Sequence, residues 1–337
     1  MTVEYHHVPV LKEEVLAALD PRPSDIVVDC TLGGAGHGLA LAHKLDEQGT
    51  FVGIDQDEAA LQASQKQFQA AGLLGDDLSP LPNKPTICFI HGNFGELDRL
   101  LLEQNIPGIN RILFDLGVSS FQFDEGTRGF SYRADAPLDM RMNPGKHTKT
   151  AQEVINTYNT ADLTRILTMY ADEKYAARIA KRIVEKRAVT PINTTTELAE
   201  LVRSCYPVDA RAKKHPAKKT FQALRMEVNQ EMVALEKGLD SAVRWLLPEG
   251  RIAAISYHSK EDRLVKHTFN ELSRGCICPP DLPQCVCHNV EIVDVITKHA
   301  IAPTDAEIED NPRARSAKLR VAQKLYPPLR PKDKSTH

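Results

Sequence analysis

The chain has 337 residues, of which 42% are hydrophobic and 26% charged, with a formal net charge of −3. That supports one large domain or a domain with an insertion, and the small charge imbalance singles out no partner. No apolar run reaches the roughly 18 residues of a membrane-spanning helix. The N-terminus (MTVEYHHVPVLKEEV) has neither the charged start nor the apolar middle of a signal peptide, so a cytoplasmic location is expected.

In chain order, short β-rich runs come first: Asp25–Cys30 (DIVVDC), Thr50–Ile54 (TFVGI), Thr86–His91 (TICFIH) and Arg111–Asp115 (RILFD). Amphipathic stretches at Glu58–Ala71 and Glu96–Glu103 lie between them, and this alternation predicts a parallel sheet with crossover helices. Leu74–Lys84 reads as a surface loop. From Ala151 to about Cys205 the pattern is helical, with Thr194 and Glu197 spaced as a capping box. One long helix is predicted from Lys218 to Trp245, and a strand resumes at Gly250–Ser256 (GRIAAIS). The sheet is therefore expected to be interrupted by helices. Its parts are residues 1–136 and 216–325, with a helical insertion at 137–215 and a disordered tail at 326–337.

The stretch VVDCTLGGAGHG, Val27–Gly38, ends a strand in Asp29 and opens into four glycines. Such a loop lets backbone N–H groups approach a ligand closely. Gly33 and Gly38 have the triphosphate-loop spacing, but Leu39 and Ala40 stand where Lys and Ser/Thr are required. Gly34 and Gly36 begin a dinucleotide fingerprint whose third position is Leu39. What remains is an adenosyl-methionine loop, with an acid before the glycines. Asp55 ends the next strand, where a carboxylate takes ribose hydroxyls; NAD and adenosyl-methionine share that feature.

Two other features carry chemistry. Cys276, Cys278, Cys285 and Cys287 form two C-x-C pairs across a proline-rich loop, to be read as reduced thiols or as a zinc site. Basic residues cluster in three stretches. Arg211, Lys213, Lys214, Lys218, Lys219 and Arg225 surround Phe221. His258, Lys260, Arg263, Lys266 and His267 follow the resumed strand. Arg313, Arg315, Lys318, Arg320 and Lys324 lie near the C-terminus. Each is either a solvated face or a phosphate-binding surface.

Five motifs go further: Phe114–Gln122 (FDLGVSSFQ), Arg128–Met142 (RGFSYRADAPLDMRM), Thr220–Glu231 (TFQALRMEVNQE), Ser256–Lys266 (SYHSKEDRLVK) and Asn311–Arg320 (NPRARSAKLR). In this order, from about Tyr5 to Arg320, the chain closely resembles the bacterial 16S rRNA cytosine-N4 methyltransferase family. The resemblance implies an α/β fold, a Rossmann-like S-adenosyl-L-methionine-dependent methyltransferase sheet with a helical insertion for substrate recognition. It implies methyl transfer to N4 of a cytidine in the decoding region. The partner is then 16S rRNA or the small ribosomal subunit, with no membrane involved. The implied cofactor residues are Ala35, Gly36, His37, Asp55, Phe94, Asp115 and Gln122.

The chemistry asks for a carboxylate beside N4, and Asp115, ending a strand, is the candidate catalytic residue. Many amino-methyltransferases of DNA carry [DNS]-P-P-[YF] at this point. Here only the first position matches, so Phe130 or Tyr132 is left as a candidate to stack on the base. No cysteine follows Pro or Thr, which argues against methylation of cytosine C5 through a cysteine nucleophile. The rival readings are a non-catalytic RNA-binding assembly factor and an NAD-linked oxidoreductase.

Overall fold

The computed structural model describes residues 9–117, 127–145, 148–211, 215–279, 282 and 285–329. The chain divides into two compact units. One combines Met1–Gly117 with Ala234–His337, and the other is Val118–Val233.

The first unit is built on a seven-stranded sheet. Its strands are β1 (Ile26–Asp29), β2 (Thr50–Asp55), β3 (Thr86–His91), β4 (Ile109–Asp115), β5 (Leu246–Ser256), β6 (Glu291–Val295) and β7 (Lys318–Leu329). They lie in the order β3-β2-β1-β4-β5-β7-β6. β1 to β5 run parallel, and β7 runs antiparallel to both neighbours. The near-continuous apolar runs arise because both faces of the sheet are covered. Val28, Ile112, Phe114, Ile252 and Ala254 enter one buried cluster, and Val27, Leu113, Ala253 and Ile255 enter another. The order reverses between β1 and β4. At such a switch point the loops beyond the strands' carboxyl ends separate and leave a crevice.

Flanking helices are α1 (Lys12–Leu19), α2 (Gly36–Ala42), α3 (Glu58–Ala70) and α4 (Leu97–Glu103). The second unit holds α5 (Ala151–Thr157), α6 (Thr160–Ala171), α7 (Ala176–Arg187), α8 (Thr195–Ser204), α9 (Val208–Arg211) and α10 (Ala217–Asn229). α11 (Glu231–Trp245) leads into β5, α12 (Ser259–Leu272) follows it, and α13 (Asp305–Asp310) precedes β7. The capping box of α8 is formed as expected, with Thr194 accepting from Glu197 N–H. Among the described residues, no helix is long and apolar enough to cross a membrane.

Three elements differ from expectation. The long helix predicted from Lys218 to Trp245 is two helices, broken at Gln230 in the left-handed region (φ 49°). Asn229 explains the break: its amide donates to Met140 O (2.8 Å) and accepts from Met142 N–H (2.8 Å). The stretch Arg128–Met142 is thereby tied to the end of α10. The helical unit is also wider than 137–215, because Phe130, Leu138 and Met140 share one core with Phe221, Leu224 and Val228 of α10. Finally, Tyr326–Leu329, expected in a disordered tail, belongs to β7, whose Leu329 pairs with Glu291. β5 pairs only as far as Gln323, so Pro327 and Pro328 deprive no strand on that side of a donor. Residues 330–337 of that tail lie outside the described residues.

The Arg128–Met142 stretch forms no helix or named strand, and its backbone is satisfied partly by other backbone groups and partly by side chains. Thr195, fully buried at the start of α8, donates to Ala134 O (2.6 Å) and accepts from Ala136 N–H (3.0 Å). Thr195→Val keeps the shape and removes both bonds, leaving a donor and an acceptor unpaired, at a cost of about 1–3 kcal/mol. Thermal unfolding of this variant should show a lower Tm; an unchanged Tm would mean that water replaces the hydroxyl.

Candidate active site

The glycine loop leaves β1 at the switch point, and six polar side chains converge beside it. Asp29, at the end of β1, is 1% exposed. Its Oδ1 accepts from the Thr31 N–H (3.0 Å) and the Thr31 hydroxyl (3.4 Å). The same hydroxyl oxygen accepts from the Asp115 N–H at 2.6 Å, so Thr31 joins the ends of β1 and β4. Asp115 is held on both oxygens. Oδ1 accepts from the Tyr257 hydroxyl (2.8 Å), and Oδ2 faces His37 Nδ1 (3.4 Å).

His37 is buried in the first turn of α2, with Nε2 2.9 Å from Val10 O. A carbonyl only accepts, so Nε2 carries a proton. Nδ1 faces a carboxylate, which favours a second proton there. Burial opposes that charge, but the bond to Asp115, the charges of Asp115 and Asp29 and the Val10 carbonyl outweigh it, and the pKa is raised above the ordinary histidine value. Tyr257 is pushed well up by burial and by Asp115, and it remains a donor.

Asp55 ends β2 and reaches back to the loop. Oδ2 accepts from Gly33 N–H (2.8 Å) and Oδ1 from Asp57 N–H (2.9 Å). Gly33 sits at φ 50°, where a side chain is strained. Ala35 adopts a similar conformation (φ 60°) without being glycine, and it is fully buried at the entry to α2. Such strain in a non-glycine residue persists only where its surroundings impose it, and it clusters at functional sites. Gly38 is required for packing, since a Cβ there would lie 2.7 Å from Leu32 Cδ1. Beside Gly34, by contrast, a Cβ would meet open space.

The expected site residues thus fall into three groups. Ala35, Gly36, His37, Asp55 and Asp115 line the switch point at the ends of β1, β2 and β4. Phe94 lies in the short turn after β3, partly exposed, edge-on to Phe114 with ring centroids 5.5 Å apart. Gln122 lies outside the described residues. Asp29, read from the sequence as the acid before the glycines, lies at the site as well, and Tyr257 and Thr31 join it although sequence reasoning gave them no role. The available signal was positional, since Tyr257 follows the carboxyl end of β5, next to β4. The two base-stacking candidates are otherwise engaged. Phe130 is buried in the helical core, and Tyr132 stacks on His215 at 4.2 Å.

Most of the basic stretches are also engaged. Phe221 is core, and Arg225 makes a two-bond ion pair with Glu231 (2.7 and 2.8 Å). Lys219 donates to Asp172 O, Lys318 and Arg320 both bind Asp262, and Lys324 donates to Leu246 O. Lys213 and Lys214 lie outside the described residues. Exposed cations remain at Lys218, Arg263, Lys266, His267 and Arg315. The helical unit adds a group that sequence reasoning passed over: Arg178, Lys181, Arg182 and Lys186 are all exposed on α7, whose buried face is Ile179, Ala180 and Ile183.

An acid-rimmed glycine loop at the switch point of a sheet ordered 3-2-1-4-5-7-6 defines a Rossmann-like methyltransferase, the class that draws its methyl group from S-adenosyl-L-methionine. The donor set fits that cofactor, since three carboxylates gather beside the loop and the cofactor carries a sulfonium, an ammonium and a ribose diol. The comparison with known proteins agrees. Residues 4–325 match the model of the MraW methylase family. A "Ribosomal RNA small subunit methyltransferase H" of Heliobacterium modesticaldum is 45% identical over 323 residues, 95% of this chain and 99% of that protein. The protein of the same name from Brevibacillus brevis is 44% identical over 325 residues, covering 96% and 99%. Among solved structures, a putative rRNA-methylase from Clostridium thermocellum aligns with a TM-score of 0.42 and 11% identity, over 93% of this chain and 95% of that one. The chain belongs to the MraW methylase family.

The site's acids make a pH prediction. Burial pushes Asp29 up to about 7, against the pull of His37 and the Thr31 N–H. Burial pushes Asp55 up to about 6, against the N–H groups of Asp57 and Gly33. A raised carboxyl binds its proton more tightly folded than unfolded. Its contribution is full below about pH 4 and is lost as pH climbs through the folded values. His37, also raised, acts in the same direction. The Tm of the ligand-free protein should therefore fall between about pH 5 and pH 8, and the fall should be shallower in Asp29→Asn. A Tm that rises across this window would show that these acids are not held in a desolvated site.

Proposed function

We propose that the protein methylates the exocyclic N4 of a cytidine in the decoding region of 16S rRNA, on free rRNA or the small ribosomal subunit. The observation that carries this reading is the Asp115 carboxylate. It stands at the carboxyl end of β4, with a quarter of its side chain exposed (24%), and it is oriented by His37 and Tyr257. The names of the relatives support rRNA as the substrate class. N4 as the target atom rests on the sequence resemblance and on a carboxylate being suited to an amine.

The N4 lone pair is delocalised into the ring, so the enzyme's main task is placement. S-Adenosyl-L-methionine supplies an electrophilic methyl group on a positive sulfur. Asp55 takes the ribose hydroxyls, and the backbone at Ala35, Gly36 and His37 with the rings at Phe94 completes the cofactor set, together with Gln122. Each Asp115 oxygen has two lone pairs, so one N4–H is accepted while Tyr257 and His37 keep their bonds. As the N–C bond forms and the C–S bond breaks, positive charge develops on N4 beside this carboxylate, which takes the surplus proton. A protonated His37 pairs with the Asp115 carboxylate and holds its orientation. In the helical unit, the cations of α7 contact rRNA phosphates.

Two variants test the division of roles. Asp55→Ala should weaken cofactor binding at least tenfold, measured calorimetrically. Asp115→Asn should bind cofactor within a few-fold of wild type yet lose about 10²–10⁴ in turnover. Turnover is read by mass spectrometry as N4-methylcytidine in digests of small subunits lacking the modification. If Asp115→Asn retains turnover, Asp115 only positions cofactor; if wild type yields no N4-methylcytidine while binding cofactor, the substrate is wrong.

A further inference from the structure

The cysteine loop lies between α12 and β6, and the methyl-transfer chemistry leaves it without a role. Its two C-x-C pairs are separated in sequence, yet the four Sγ atoms all lie within 4.8 Å of one another. Cys276 Sγ is 3.4 Å from Cys285 Sγ and 3.9 Å from Cys287 Sγ, and Cys285 and Cys287 are 3.5 Å apart. A disulfide would need roughly 2.05 Å. Zinc with Zn–S bonds of about 2.3 Å at tetrahedral angles sets its sulfurs roughly 3.8 Å apart. The observed separations bracket that spacing.

The backbone around the sulfurs is arranged reciprocally. The N–H of Ile277, inside the first pair, donates to Cys287 Sγ at 3.4 Å. The N–H of Val286, inside the second pair, donates to Cys278 Sγ at 3.4 Å. Asn289 N–H adds a bond to Cys287 Sγ at 3.5 Å. Thiols are weak acceptors, whereas thiolates bound to a metal carry charge that such N–H groups stabilise. Among the described residues of the loop, no apolar side chain is fully buried. Ile277 is 59% exposed and Val286 65% exposed. Its base is closed by the Asn289 amide, which donates to Arg274 O and Gly275 O, both at 2.8 Å. Chain ordered without buried apolar surface needs another source of free energy, and a metal supplies it.

We propose that Cys276, Cys278, Cys285 and Cys287 hold a zinc ion in a tetrahedral site that fixes the loop between α12 and β6. Zinc has no geometric preference from its d-electrons and no redox chemistry, which suits a structural role. The close C-x-C spacing is accommodated because each pair contributes adjacent corners, with its middle N–H turned to the opposite pair.

The test uses the full chain, purified in reducing buffer without chelators. Zinc by plasma mass spectrometry should be stoichiometric and should be released by a mercurial reagent. X-ray absorption at the zinc edge should show a sulfur-only shell. Cys278→Ser combined with Cys287→Ser should lose the metal and gain protease cleavage within 276–287, with an unchanged circular dichroism spectrum. Absence of stoichiometric zinc both as purified and after addition of zinc, with all four thiols reactive, would overturn the site. Disulfides found by non-reducing peptide mapping would also overturn it, and iron in place of zinc would overturn the choice of metal. If the double variant proves insoluble, the metal content and edge spectrum of the wild type still decide.

Discussion

Three carboxylates at the ends of adjacent parallel strands set the terms for the rest of this site. Asp29, Asp55 and Asp115 finish β1, β2 and β4, so the register of the sheet brings like charges together where water is scarce. Each is handled differently. Asp29 is deep, with few donors, and tends to keep its proton. Asp55 is offset by two backbone N–H groups, one from the glycine loop. Asp115 has a histidine and a tyrosine. Three like groups in one small volume thus sit in three different environments, a common route by which an enzyme assigns distinct roles to identical groups.

The strain at Ala35 belongs to the same constraint. Gly33 must place its N–H on Asp55 and its carbonyl on the Ser64 hydroxyl, 2.9 Å away. His37, four residues later, must reach Val10 O on one side and Asp115 on the other. A loop fixed at both ends over so short a span has little freedom, and Ala35 absorbs the remainder at φ 60°. Glycine would relieve that strain, but its freedom in the unfolded chain would add to the entropy lost on folding.

The parallel sheet was legible because its strands read as apolar runs, three of which (β1, β2 and β4) end in Asp. Four such strands were placed within a residue or two, and the glycine loop was placed beside the correct acids. β6 and β7 escaped. β6 (EIVDV) is short and half polar, and β7 carries Lys, Arg, Gln and two prolines, because its exposed side takes charge and its far end has one strand neighbour. The break at Gln230 escaped for another reason. Nothing in the local sequence opposes helix there, and the turn is imposed by Asn229 holding residues 140 and 142. The network around Asp115 was half legible. Asp115 and His37 are marked by strand end and loop, but Tyr257 is 142 residues away in sequence and meets Asp115 only because β5 pairs with β4.

Charge runs were the least reliable part of the sequence. Arg225, Lys219, Lys318, Arg320 and Lys324 look like a phosphate-binding inventory, yet each is spent on a carboxylate or carbonyl within the protein. The reason is physical. A basic residue inside a packed element meets the acids and helix ends of its own fold first, and a half-buried, two-bond pair such as Arg225–Glu231 has those donors committed. Cations spaced along the outer face of an amphipathic helix have no such competition beyond pairs with their own helix. On α7 those pairs, Lys181 and Arg182 with Glu185, are long, at 4.0 and 3.4 Å, and exposed. Exposed pairs of that kind are worth little, so a phosphate can displace them at small cost. An RNA-binding surface is therefore better sought where helical periodicity turns cations outward than where they are densest in sequence.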